Sequence, residues 1–158
     1  MFAHGLLILA LVFSSSEATS TASFEDLFTD LEEIALHIVQ LVREIPEYGD
    51  YLRTIKACSW NMTVSVEERV EMCKKDGREF EEMFPEAFET SVQESVQKIA
   101  DVHEYFVQRY FPSQPELATQ LISHFYTWFL KKPLAEMNDD QISGLLMIKL
   151  QRYISAQS

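Results

Sequence analysis

Glycine is scarce in this chain, with four residues in 158. After the N-terminal segment, Gly49, Gly77 and Gly144 each stand alone, so no loop clusters the glycines that let backbone amides approach a phosphate. No stretch alternates apolar and polar residues, and the glycine-rich turns of β-hairpins are missing as well. These absences exclude a nucleotide-binding loop and predict a chain without a β-sheet.

Positive charge is also in short supply. Lysine and arginine number 13 against 25 aspartates and glutamates, which gives a net charge of −12 at pH 7. A surface of this sign repels phosphate backbones and anionic lipid head groups. We therefore expect no nucleic-acid partner. We also expect no membrane span in the mature chain, because no later apolar run approaches the roughly 20 residues that a spanning helix needs.

Catalytic and metal-binding motifs are missing too. The sequence has no Gly-X-Ser-X-Gly elbow of a hydrolase, and none of His37, His103 and His124 follows a glutamate by three residues, as in di-metal bundles. Three histidines on different helices could converge on a metal. Each lies on or beside an apolar stripe, however, where an imidazole at the edge of the core is the commoner outcome. We expect no enzyme activity, no cofactor and no metal.

The N-terminus has the pattern of a secretory signal peptide. An apolar run from Gly5 to Phe13 is too short to span a bilayer, and small and hydroxylated residues follow it. Cleavage fits after Ala18 or after Ala22. The sequence thus predicts a signal peptide over residues 1–18, with cleavage possible up to residue 22, and a single secreted, extracellular domain over residues 19–158.

Two cysteines and one glycosylation sequon lie within a single short stretch, residues 58–73. In an oxidising compartment Cys58 and Cys73 form the one possible intramolecular disulfide, and no CxxC motif or set of zinc ligands favours a reactive role. Asn61 begins an Asn-Met-Thr sequon inside the loop that this disulfide closes. We expect a structural disulfide and a glycan on Asn61.

Helical periodicity accounts for the rest of the chain. Apolar residues recur at steps of three and four, and prolines or capping residues separate the segments. The segments cover residues 23–45, 48–55, 66–84, 86–110, 115–132 and 139–154. The predicted fold is all-α, a compact bundle of five to six amphipathic helices with one disulfide.

Residues 85–89 form a Pro-Glu-Ala-Phe-Glu turn into a long predicted helix. This turn and the secretory helical design resemble the secreted, helical fatty-acid and retinol-binding proteins of nematodes. The cysteine pair departs from that family's cysteine-poor pattern. No residue role is carried over from the resemblance.

Aromatic residues are plentiful, and they suggest two sets with different uses. Eleven phenylalanines, six tyrosines and two tryptophans are present, concentrated in the second half of the chain. One set would line an apolar cavity or fill the core: Phe106, Phe125, Trp128 and Phe129. The other set would form an exposed patch for a protein partner: Tyr105, Tyr110, Phe111 and Tyr126.

Two functions fit these features. The main hypothesis is a secreted acidic helical bundle that binds an extracellular protein, as a signalling ligand, effector or inhibitor does, because this requires only surface complementarity. The alternative is an extracellular carrier of a small apolar ligand, such as a fatty acid, in a helix-lined cavity. The wide apolar stripes of the first, fourth and fifth predicted helices favour the alternative.

Overall fold

The structure is a computed structural model that describes residues 23–83 and 86–157. The predicted signal peptide, with both cleavage positions, lies outside these residues. All regular structure in the described part is helical, which confirms the all-α prediction. The α-helices are α1 (Phe24–Glu44), α2 (Tyr48–Ser59), α3 (Val66–Asp76), α4 (Phe88–Tyr110), α5 (Pro115–Phe129) and α6 (Asp139–Ala156), with short 3₁₀ helices at Arg78–Met83 and Leu134–Glu136.

The third predicted helix is shorter than expected. It ends with Gly77 as its C-cap, and a 3₁₀ helix continues the chain, so the described part has more helical segments than the five or six predicted. A side chain on Gly77 would approach Cγ2 of Ile55 on α2 to 3.2 Å and the carbonyl of Cys73 to 3.1 Å. Glycine therefore ends the helix at a point where its backbone packs tightly against α2.

The start of α1 shows how local sequence sets a helix boundary. The Asp26 amide donates to the Ser23 hydroxyl at 3.2 Å, and the Ser23 amide donates to the Asp26 carboxylate at 3.0 Å, which is a capping box. Asn138 and Gln141 form the same reciprocal pair at the start of α6. Both caps satisfy amides that a helix end leaves without partners.

Cys58 and Cys73 lie at disulfide-bonding distance, with 2.07 Å between the sulfur atoms and 5.5 Å between the Cα atoms. Cys58 is near the end of α2, and Cys73 is two turns into α3, as the sequence predicts. Both are buried, so the pair ties α2 to α3 inside the bundle.

Buried side chains from all six α-helices form a hydrophobic core. The helix pairs with extensive contacts are α2 with α3, α3 with α4, α4 with α5, and α1 with α6. The pair α1 and α4 is not among those with extensive contacts, and this separation positions the site described below. In the described ranges, no helix combines the length and apolar content that crossing a bilayer requires.

Candidate functional site

A large cavity lies among α1, α2, α4 and α5. Its volume is about 790 Å³, within the range of roughly 300–1,000 Å³ that is usual for small-molecule sites. A second cavity of about 30 Å³ adjoins it and shares Ile34, Ile38, Ile122 and Tyr126 with its wall. The small cavity has room for about one water molecule, so the large one is the candidate site.

Aliphatic side chains of α1 and α4 supply most of the apolar residues on the two long walls of the large cavity. Because the lining residues recur at steps of three and four, each helix presents one face to it. The apolar residues of these faces are Ile34, Ile38 and Leu41 on α1, and Ile99, Val102 and Phe106 on α4. Most are also part of the apolar stripes that the sequence shows on these helices.

The floor of the cavity is more aromatic. Tyr48 and Leu52 of α2, Trp60 just after it, and Ile122 and Tyr126 of α5 line it. The rings of Trp60 and Tyr126 lie 5.6 Å apart. The indole N–H and the phenol hydroxyl of this pair are buried without a hydrogen-bond partner among the described residues. Burial raises the pKa of Tyr126, so its hydroxyl remains a donor at the floor.

A polar cluster joins α1 to α4 at one end of the cavity. The Asp30 carboxylate accepts hydrogen bonds from the Tyr110 hydroxyl at 2.5 Å and the Tyr105 hydroxyl at 3.0 Å, and it pairs with the Arg109 guanidinium at 3.3 Å. Burial and the bond to Asp30 raise the pKa of Tyr110. The bond to Tyr105 is the main cause of the raised pKa of Arg109. The cluster therefore fixes α1 against α4 with its opposite charges paired.

Charged and polar side chains surround the mouth of the cavity. Glu33 and His37 of α1 face it from one side, and Glu94, Lys98 and Asp101 of α4 from the other, all of them exposed. The cavity is thus apolar inside and polar at its rim, which matches a molecule with an apolar body and a polar end.

The predicted cavity-lining aromatic residues are divided between several places. Phe106 lines the large cavity, and Phe125 and Phe129 line the small one. Trp128 lines neither, and two lysine ammonium groups lie 5.1 and 5.6 Å from the centre of its ring. The aliphatic residues of the cavity walls were not predicted, although the wide apolar stripes of α1 and α4 were their signal in the sequence.

The four residues of the predicted partner patch do not form one exposed surface. Tyr105 is 43% exposed, whereas Tyr110, Phe111 and Tyr126 are 0%, 7% and 8% exposed. Tyr110 is turned inward by its bond to Asp30, and Tyr126 packs against Trp60. Only Tyr105 of this set is available to a partner, which corrects the expected surface.

The sequon lies in the turn between α2 and α3. The Asn61 side-chain oxygen accepts a hydrogen bond from the Thr63 hydroxyl at 2.5 Å, and Thr63 is exposed. This is a surface position of the kind that glycosylation requires. A glycan on Asn61 stays a prediction.

The three helical histidines have separate surroundings. His37 is on the cavity rim, His103 shares a hydrogen bond of 2.7 Å with the Thr119 hydroxyl, and His124 stacks 5.0 Å from Tyr153. Within residues 23–83 and 86–157, no three histidine, cysteine, aspartate or glutamate side chains are placed to hold a metal ion.

Comparison with known proteins leaves the cavity as the basis for assigning a function. No protein-family model matches the chain, and no curated protein and no solved structure matches it.

Proposed function

We propose that this protein is an extracellular carrier of a small apolar molecule, held in the cavity between α1 and α4. The observation that carries the proposal is the cavity of about 790 Å³ with aliphatic walls. A tightly packed bundle has few voids larger than a water molecule. A protein with an apolar void of this size is stabilised when an apolar ligand displaces the water from the void.

The shape of the cavity suits an elongated ligand. Its lining on α4 extends from Ser91 to Phe106, which is about 22 Å along a helix that rises 1.5 Å per residue. Its lining on α1 extends from Asp30 to Leu41, or about 16 Å. A molecule with an extended acyl or isoprenoid chain would lie along this groove, its polar end at the rim and its chain against the aliphatic walls.

The carrier function is better supported than binding to a protein partner. The partner hypothesis depends on an exposed aromatic patch, and three of its four residues are buried. Secretion, which the N-terminal sequence predicts, fits a carrier.

The direct test has two parts. Protein secreted from a eukaryotic host is first studied by native mass spectrometry under non-reducing conditions, and organic extraction identifies any ligand that co-purifies. Protein freed of lipid is then titrated with Nile red, a neutral dye whose emission shifts to the blue in apolar surroundings. We expect a co-purified lipid and saturable binding of one dye per chain. An empty protein with no saturable dye binding would refute the carrier function and redirect the search to a protein partner.

A further inference from the structure

We infer that the cavity selects an amphiphile with a positively charged head group, such as a long-chain amine. The inference rests on the proposed carrier function and concerns the same cavity. Among the described residues, four carboxylates line this cavity, those of Asp30, Glu33, Glu94 and Asp101, and Lys98 is the only lysine or arginine that does so. The cavity defines the binding site, and these charges decide which head group it accepts.

The negative charges of the carboxylates at the mouth are not balanced by ion pairs. Neither Glu33 nor Glu94 forms an ion pair with any described residue, and both are exposed. The Asp101 carboxylate accepts a hydrogen bond from the neutral amide of Gln97 at 2.9 Å, which leaves its charge in place. Three negative groups are therefore available to a ligand at the rim.

Lys98 forms no ion pair with any described residue, but acidic residues of its own helix lie next to it on the helix surface. Lys98 lies four residues after Glu94 and three before Asp101 on α4, and residues at these spacings are neighbours on a helix surface. A ligand carboxylate that approached Lys98 would also approach both acidic side chains. The net field at the mouth is thus negative, and the net charge of −12 of the whole chain has the same sign.

The other end of the cavity does not reverse this preference. The positive charge there belongs to Arg109, which pairs with Asp30 at 3.3 Å and with Asp26 at 3.7 Å. Arg109 is not part of the cavity lining. An anionic head group at that end would have to displace the Asp30 carboxylate from its partners.

The test compares ligands that differ only in head group. Nile red bound to lipid-free protein is displaced with dodecylamine, dodecanol or dodecanoate, each below its aggregation threshold. We expect dodecylamine to displace the dye at a concentration about tenfold lower than dodecanoate, with dodecanol between them. The ratio should shrink when salt is raised, because the rim is exposed and its charges are screened.

A charge variant locates the effect at the rim. Glu33→Gln combined with Glu94→Gln removes two unpaired charges from the mouth and should abolish most of the preference for the amine. The control combines Glu44→Gln with Glu104→Gln, which changes the net charge equally on the same two helices, at exposed residues outside the cavity lining.

The outcomes separate this inference from the carrier function. Equal displacement by all three ligands, or stronger displacement by dodecanoate, would overturn the charge selectivity while leaving the carrier function in place. Loss of the preference in the control as well would show that net charge, and not the rim, sets it. If Nile red does not bind at all, both the carrier function and the selectivity fail.

Discussion

The hydroxyl of Tyr110, a fully buried residue, donates a hydrogen bond to the carboxylate of Asp30 on the opposite wall of the cavity. The bond spans 80 positions of the sequence and joins α4 to α1. These two helices are not among the pairs with extensive contacts. This contact therefore holds together the walls between which the cavity opens.

Replacing Tyr110 with phenylalanine tests the strength of this contact. Tyr110→Phe keeps the ring in the core and removes the hydroxyl, so it should lower the free energy of unfolding by about 2 kcal/mol, as is usual for a hydrogen bond to a charged group. Urea denaturation measures the loss. Tyr105→Phe removes the other phenol from the same carboxylate at an exposed position, and we expect a loss of at most about 0.5 kcal/mol. Equal losses in the two variants would contradict this account.

The cysteine pair should stabilise the fold by constraining the unfolded chain. The two residues are 15 positions apart, and in the chain-entropy model a loop of this size contributes about 3 kcal/mol. We expect a reducing agent to lower the free energy of unfolding of the wild type by about this amount. The double variant Cys58→Ser and Cys73→Ser should have the same free energy of unfolding as the reduced wild type, and the reducing agent should not change it. A wild type indifferent to reduction would show that the bond does not form in solution.

Features decided within one helical turn were predictable from the sequence. The capping boxes at Ser23 and Asn138, the end of α1 before Pro46 and the position of Cys73 in α3 all depend on residues a few positions apart. Helical periodicity revealed the six main helices for the same reason. The end of α3 at Gly77 was missed, and the close approach of Ile55 to that position comes from another helix, which the local sequence does not show.

The site was harder to predict because it depends on how helices sit against one another. Ile38 and Ile99 belong to helical stripes that the sequence shows, but a stripe does not reveal whether it faces a solid core or a cavity. The inward turn of Tyr110 depends on Asp30, a residue distant in sequence. The emphasis on aromatic residues was a poor guide, since of the four aromatic residues predicted for the cavity only Phe106 lines it.

His103 should make the stability depend on pH. Burial, and secondarily the charge of Arg69, lower the pKa of His103 below its ordinary 6.5. As pH falls below about 6.5, the unfolded chain takes up a proton that the folded protein resists, so the folded state loses stability until the pH passes the folded pKa. His103→Gln removes this contribution. Urea unfolding at about pH 7.5 and pH 5.5 should show that the wild type loses more stability than the variant when the pH is lowered. Equal losses in the two proteins would contradict a lowered pKa of His103.

Filling the cavity should abolish ligand binding and leave the fold intact. Val102 lies in the α4 wall, and a cavity of about 790 Å³ has ample room for an indole ring. Val102→Trp should therefore weaken Nile red binding at least about tenfold without the overpacking cost of roughly 1–3 kcal/mol that a filled core imposes. Dye titration and urea denaturation of the same samples measure the two effects.

The matched control places the same indole on the same helix, away from the cavity. Gln93 of α4 is exposed and does not line the cavity, so Gln93→Trp should bind the dye as the wild type does. If both variants bind normally, the dye lies elsewhere on the surface. If Val102→Trp loses binding together with several kcal/mol of stability, the region around Val102 is packed and has no room for a ligand. Loss of binding at unchanged stability, in Val102→Trp alone, is the result that only an open cavity between α1 and α4 explains.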